Sequence, residues 1–327
     1  PLPASSQNPM PAVDGAKDLP YGVFPTMITP FLPSGAVDYE TLPKLVDWYI
    51  KSGVQALFAV CLSSEMYNLS PEERIELARA VNTAAKGRVP VIASGTFGGS
   101  LESQAEFINK MAVEVDAVVV ICCQLATEDE DDSVWKANAE KLLALTGDVR
   151  LGLYECPKPY HRLLSADLLA WAASTGRFLF HKDTHCQTQP IAAKIAAVQS
   201  IGETPFKFYN ANVATLLFSL EKGGHGFSGI SANFYPFLLV WLAANHKTNP
   251  KDATRVQQFL SVAENVVMYK YPLSAKQYLR QQGLPINLHC RNMDATLNEE
   301  EEIKLKDLHS MVQSLCESIG IQAVSPV

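Results

Sequence analysis

Between Gly22 and Ala244 the chain repeats one unit, a short apolar run followed by an amphipathic stretch with apolar residues three and four apart. This strict alternation is the feature that most limits the fold. The strand-like runs are Val23–Thr29, Ala56–Val60, Val89–Ala93, Ala117–Ile121, Leu151–Tyr154, Phe178–Lys182, Phe206–Tyr209 and Gly226–Ile230. The helical patterns between and after them are Tyr39–Lys51, Pro71–Ala85, Leu101–Val113, Ser133–Leu145, Ser165–Ser174, Gln189–Ser200, Val213–Lys222 and Tyr235–Ala244. A helix that returns the chain to the start of the next strand makes neighbouring strands parallel. Eight such units predict an α/β protein of the (β/α)8 TIM-barrel type. An open doubly wound sheet would normally bring a glycine-rich phosphate loop after an early strand, and the sequence has none.

Local signals support these boundaries. Ser70-Pro71-Glu72-Glu73 combines an N-cap, a proline at the first helical position and acids in the first turn. Asp132-Ser133 and Ser165-Ala166-Asp167 provide further caps, and Gly53, Gly147, Gly176 and Gly202 provide stops. Beyond the eighth unit, Ala253–Tyr269, Ser274–Gln282 and Asn298–Gly320 read as amphipathic helices, with Glu299 to Glu302 as an acidic first turn. The expected organisation is a disordered leader over residues 1–20, a barrel over 21–245, and a helical subdomain over 246–327 packed on it. Five prolines and no apolar run mark the leader.

Composition narrows the class of function. A net charge of −7 without any basic block argues against nucleic acid or an anionic membrane as a partner. The cysteines, Cys61, Cys122, Cys123, Cys156, Cys186, Cys290 and Cys316, are odd in number and scattered, which is no disulfide framework. A reducing, cytoplasmic setting is expected, and a cleaved organellar transit peptide is compatible with it. No run of apolar residues is long enough to span a bilayer.

Chemistry in such a barrel sits at the carboxyl ends of the strands. There the sixth run, Phe178-Leu179-Phe180-His181, ends in Lys182, followed by Asp183-Thr184. Burial lowers a lysine pKa and frees its amine to attack a ketone. The fifth run ends in Tyr154, on the neighbouring strand, so a phenol and an amine can meet over the mouth. Ser63 and Ser64 after the second run offer hydroxyls and backbone N–H groups to a carboxylate. Asn210, Asn212, Ser228 and Gly229, at the seventh and eighth strand ends, are expected to face the variable part of the substrate. Glu65 is expected to be a structural acid. His181, His185 and Cys186 are rich in metal-ligand types, but no further motif with ligand spacing accompanies them, and no metal is expected. This set of groups suits a 2-oxo acid such as pyruvate, activated as a covalent imine on Lys182 without any other cofactor.

The same residues resemble the dihydrodipicolinate synthase / N-acetylneuraminate lyase family of class I aldolases. Gly22-Val23-Phe24-Pro25-Thr26-Met27-Ile28-Thr29-Pro30-Phe31 is similar to its opening, and Leu62-Ser63-Ser64-Glu65 to its carboxylate loop. Leu153-Tyr154-Glu155-Cys156-Pro157 resembles its Tyr-Asn-x-Pro segment, and His181-Lys182-Asp183-Thr184 its lysine-bearing strand end. The resemblance spans roughly residues 20 to 245. It implies Lys182 as Schiff-base lysine, Tyr154 as general acid/base, Ser63 and Ser64 on the pyruvate carboxylate, and a homotetramer or homodimer. Three departures stand beside it. Leu62 takes the place of a relay threonine, and no tyrosine falls near Ile121-Cys122-Cys123-Gln124. Pro159, flanked by Lys158 and Arg162, stands where an arginine would hold a second carboxylate. A different aldehyde or a sugar-acid substrate is therefore expected. A Schiff-base dehydratase and a barrel that only binds ligands or partners are the alternative functions.

Overall fold

The computed structural model describes residues 19–327, so the leader expected over residues 1–20 lies almost wholly outside the described residues. Eight parallel strands form one sheet: β1 (Gly22–Val23), β2 (Leu57–Ala59), β3 (Val91–Ser94), β4 (Ala117–Ile121), β5 (Leu151–Tyr154), β6 (Phe178–Asp183), β7 (Lys207–Asn210) and β8 (Gly226–Phe227). β2 to β8 pair consecutively and β8 pairs with β1. The remaining seam closes through a parallel bridge between Thr26 and Phe58, with Met27 N donating to Phe58 O at 3.0 Å. The eightfold barrel expected from the alternation is the fold.

Eight helices follow the strands in turn: α1 (Leu42–Lys51), α2 (Pro71–Ala85), α3 (Leu101–Met111), α4 (Asp132–Leu145), α5 (Ala166–Ser174), α6 (Thr188–Gln199), α7 (Leu216–Glu221) and α8 (Pro236–Asn245). The Ser70 signal is realised in full, since Ser70 Oγ accepts from Glu73 N while Glu73 reaches back to Ser70 N. Helix α4 starts one residue earlier than the pattern suggests, because Asp131 accepts from both Ser133 N and Val134 N.

The first and last strands are shorter than the apolar runs at Val23–Thr29 and Gly226–Ile230. Pro25 has no N–H to give a ladder, and the seam after it is carried by a bridge. At Gly226, φ is +158° and a Cβ would stand 1.8 Å from Gly22 O, so only glycine lets β8 approach β1. The pattern over Val213–Lys222 resolves into a 3-10 turn at Val213–Thr215 followed by α7.

Three further helices, α9 (Pro250–Val267), α10 (Leu273–Gln281) and α11 (Glu299–Ile319), complete the chain. α9 lies on α7 and α8, and α11 on α9 and α10. Among the described residues no helix is long and apolar enough to cross a membrane.

Inside the barrel Phe24, Phe58, Phe180 and Tyr209 form an aromatic plug. Phe180 lies 4.9 Å from Tyr209, 5.6 Å from Phe24 and 5.7 Å from Phe58, measured between ring centroids. Residues two apart on a strand share a face, so Lys182 emerges directly above this plug.

Candidate active site

β5 and β6 pair in register Tyr154 to Lys182, which places the phenol and the amine side by side at the strand ends. Lys182 is 4 % exposed and Tyr154 2 %. The amine nitrogen sits over the tyrosine ring, 4.3 Å from its centroid. The two groups therefore meet face-on, with the Cys156 side chain among the neighbours of Tyr154. Loss of water around Lys182 lowers its pKa from 10.5 to about 8, with the nearby Cys61 and Cys156 thiols opposing part of the fall. The same burial raises the Tyr154 phenol well above its ordinary 10.0.

The wall made by β1 and β2 carries hydroxyls. A 3-10 turn, Leu62–Ser64, follows β2, and Ser63 Oγ donates to Thr26 Oγ1 at 3.1 Å. Ser64, expected to share the carboxylate with Ser63, has its hydroxyl engaged within the loop. It donates to Met27 O at 2.7 Å and accepts from Cys61 N at 3.1 Å. Ser64 shapes the turn, and Ser63 is left as its hydroxyl toward the mouth.

Glu65 is the structural acid expected of it. It adopts a left-handed conformation with φ of 60° and is fully buried. One carboxylate oxygen lies 3.1 Å from Lys276 Nζ, and the other accepts from Arg291 N at 2.5 Å and Asn292 N at 2.9 Å. The serine loop is thereby tied to α10 and the segment beyond it.

At the seventh and eighth strand ends stand Asn210, Ser228 and Gly229, expected at the variable part of the substrate. Asn210 Nδ2 donates to Thr215 Oγ1 and Ser219 Oγ, and its Oδ1 accepts from Asn212 N. Alternation along β7 turns that amide away from the barrel axis, so Asn210 caps the following turn and is not placed to touch a substrate. Gly229 is packed against its neighbours, since a Cβ there would stand 2.6 Å from Ala211 O. Ser228 is buried, and its hydroxyl has no partner among the described residues.

Residues facing the helices form a second charged group. Lys194 Nζ bridges Glu155 Oε1 and Asp183 Oδ2 at 2.6 Å each, and His181 Nε2 lies 3.6 and 3.7 Å from the same carboxylates. Glu155 also accepts from Leu164 N and Thr184 N. Glu155, His181 and Asp183 are close enough to hold a metal ion, but the Lys194 ammonium already neutralises this spot. Among the described residues, His181, His185 and Cys186 do not form a metal-binding group. Against the opposing effect of burial, the nearby His181 ring and the Lys194 ammonium hold the Asp183 carboxyl well below the usual carboxylate range.

Near Pro159, the arginine of the loop is committed to its own neighbours. Arg162 donates to Thr127 O, Glu130 O and Asp132 Oδ1. A groove of about 940 Å³, lined by Tyr21, Arg150, Arg177, Lys207 and His225 among others, lies at the opposite, amino-terminal ends of β5 to β8. It is remote from Lys182 and is not the mouth described above.

The strand-end reading missed Cys61, Cys156 and Tyr271. The thiols stand at the ends of the second and fifth runs and were visible in principle. Tyr271 lies between α9 and α10, where only a Tyr-Pro step interrupting two helical patterns marks it.

Fold and site together define a class: parallel eightfold barrels with a desolvated lysine at the end of the sixth strand, beside a tyrosine from the fifth. Comparison with known proteins finds the same fold and one family in common. Residues 19–122 match the model of the "Dihydrodipicolinate synthetase family". A 4-hydroxy-tetrahydrodipicolinate synthase of Polynucleobacter asymbioticus is 26% identical over 300 residues, covering 89% of this chain and 96% of the relative. Dihydrodipicolinate synthase from Thermotoga maritima superposes with a TM-score of 0.81 at 18% identity, over 90% of this chain and 99% of that one. YagE of E. coli K12, a dihydrodipicolinic acid synthase family protein solved with pyruvate, gives 0.81 at 23% identity, over 90% and 98%. The chain is thus similar to the dihydrodipicolinate synthetase family over its first third and, at 26% identity, to a synthase of that name along most of its length.

Proposed function

We propose that the protein is a Schiff-base carbon–carbon lyase acting on pyruvate or a longer 2-oxo acid. The observation that carries this is Lys182, an amine held dry at about pKa 8 against the ring of Tyr154. At neutral pH roughly one such amine in ten is unprotonated, against roughly one in three thousand for an ordinary lysine. The free amine attacks the C2 carbonyl carbon, giving a carbinolamine, and loss of water leaves an imine. Once protonated, that imine withdraws the electron pair of the bond broken at C3, or of the C3 proton, to give an enamine. Tyr154 carries the protons in these steps, and Ser63 holds the carboxylate. The imine is itself the electron sink, so the mechanism calls on no metal or organic cofactor.

The substrate's far end is read as neutral or hydroxylated rather than anionic. Leu62 supplies no hydroxyl, Pro159 supplies no charge, and Arg162 is committed to its own loop. This disfavours the partner aldehyde of lysine biosynthesis and favours a sugar-acid-like or 4-hydroxy-2-oxo acid substrate. Assembly as a homodimer or homotetramer belongs to the same reading.

Borohydride reduction in the presence of pyruvate, followed by peptide mass analysis, tests it. A pyruvyl adduct on Lys182 is expected, and its absence across a panel of 2-oxo acids would overturn the reading. Product analysis on 4-hydroxy-2-oxo acids and sialic acid then separates cleavage from dehydration.

A further inference from the structure

Beyond the barrel, the segment joining α9 to α10 returns to the mouth and brings Tyr271 to the serine wall. Asn233 Nδ2 donates to its hydroxyl at 2.8 Å and to Thr26 O at 2.9 Å, which sets the phenol beside the wall where Ser63 Oγ donates to Thr26 Oγ1. The direction of these bonds is set by elimination. Tyr49 donates its O–H to Asn233 Oδ1, which fixes the amide so that its nitrogen faces Thr26 O, Ile230 O and Tyr271. An amide nitrogen has no lone pair to accept with. The Tyr271 proton therefore cannot go to Asn233 and is left for an acceptor on the mouth side. Tyr271 is part-buried there, its ring against Phe234 at 6.5 Å.

Ser63 and Thr26 are hydroxyls that both donate and accept. Tyr271 adds a third O–H whose own acceptor need is already met by Asn233. Three such groups on one wall, beside a lysine that would hold C2 of a 2-oxo acid, are complementary to the two oxygens of its carboxylate. Leu62 contributes no donor to this wall, and Ser64 is turned into the loop.

We infer that Tyr271 is a substrate-binding residue, donating its phenol O–H together with Ser63 to the carboxylate of the 2-oxo acid. The assignment rests on the Schiff-base reading of Lys182 and adds a residue from outside the barrel to that site. Tyr271 and Tyr154 then divide the work. One phenol binds the fixed carboxylate end, and the other serves the bonds that change.

The test is Tyr271→Phe, which removes the hydroxyl and keeps the ring, compared with the parent protein in borohydride trapping over a range of pyruvate concentrations. Loss of one hydrogen bond to a charged group should raise the half-saturating pyruvate concentration about tenfold or more. The trapping rate at saturation should stay within about twofold, and the urea midpoint should not move. Ser63→Ala should show the same pattern. An unchanged half-saturation overturns the assignment while leaving Lys182 untouched. A fall in saturated rate and urea midpoint together with affinity also overturns it, because the tyrosine would then merely support the loop. If the parent protein itself gives no adduct on Lys182, the Schiff-base reading fails and this assignment with it.

Discussion

Replacing Lys182 with methionine should make the protein more stable, and the size of the gain follows from the burial of the amine. Lowering its pKa from 10.5 to about 8 corresponds to roughly 3 kcal/mol of differential cost to the charged form. Below pH 8 the folded and unfolded chains both carry the proton, so that cost is fully present. As the pH rises through 8 the folded chain releases the proton, while the unfolded chain keeps it until about 10.5. The unfolded state then binds more protons, so stability climbs with pH and the penalty has faded above about 10.5. The ammonium over the Tyr154 ring recovers about 1 kcal/mol of this by cation–π attraction. Lys182→Met should therefore gain about 2–3 kcal/mol at pH 7 and about half as much at pH 9.5. Urea unfolding of parent and variant at the two pH values measures both. A variant no more stable than its parent at pH 7, or a gain that grows with pH, would refute the claim that this lysine is held dry.

Three other substitutions probe the surroundings. Tyr154→Phe should leave pyruvate trapping on Lys182 intact while turnover falls by about 10²–10⁴, the usual contribution of a positioned proton donor; parallel trapping and product assays separate the two. Lys194→Met strands Glu155 and Asp183, which both lie within 2.6 Å of the lost ammonium, and should cost about 3–5 kcal/mol in urea unfolding at neutral pH. Glu65→Gln leaves the fully buried Lys276 without its counter-charge and should destabilise by a similar roughly 3–5 kcal/mol. Because Glu65 also ties the serine loop to Arg291 and Asn292, the half-saturating pyruvate concentration should rise as well, which trapping over a concentration range would show.

How far the site can be read without coordinates depends on where its parts come from. Lys182 and Tyr154 were legible because period-two alternation and strand order together fix which side chains reach the mouth of a parallel barrel. The same rule failed for Asn210, which follows the inward-facing Tyr209 and so faces the helices, a one-residue difference that an uncertain strand boundary conceals. It failed for Ser64 because a 3-10 turn, and not a strand, decides which of two adjacent hydroxyls is used internally.

Glu155 and Lys194 lie 39 residues apart, and nothing in local pattern joins an acid just past one strand to a lysine on a later helix. Their pairing does explain why the helix-facing side of the sixth strand can hold His181 and Asp183 beside an apolar core. Desolvated carboxylates persist only when a cation and backbone donors satisfy them. The consequence bears on the chemistry. Two strands whose outward residues are locked by one ammonium cannot slide against each other, and their inward residues at the same register are Tyr154 and Lys182. The amine needs a dry floor, supplied by Phe24, Phe58, Phe180 and Tyr209. It also needs a fixed distance to the phenol, which the charged cluster behind the strands supplies. Nonpolar burial lowers the pKa of Lys182, and buried charge on the other face of the sheet pins the strand ends that carry it and Tyr154.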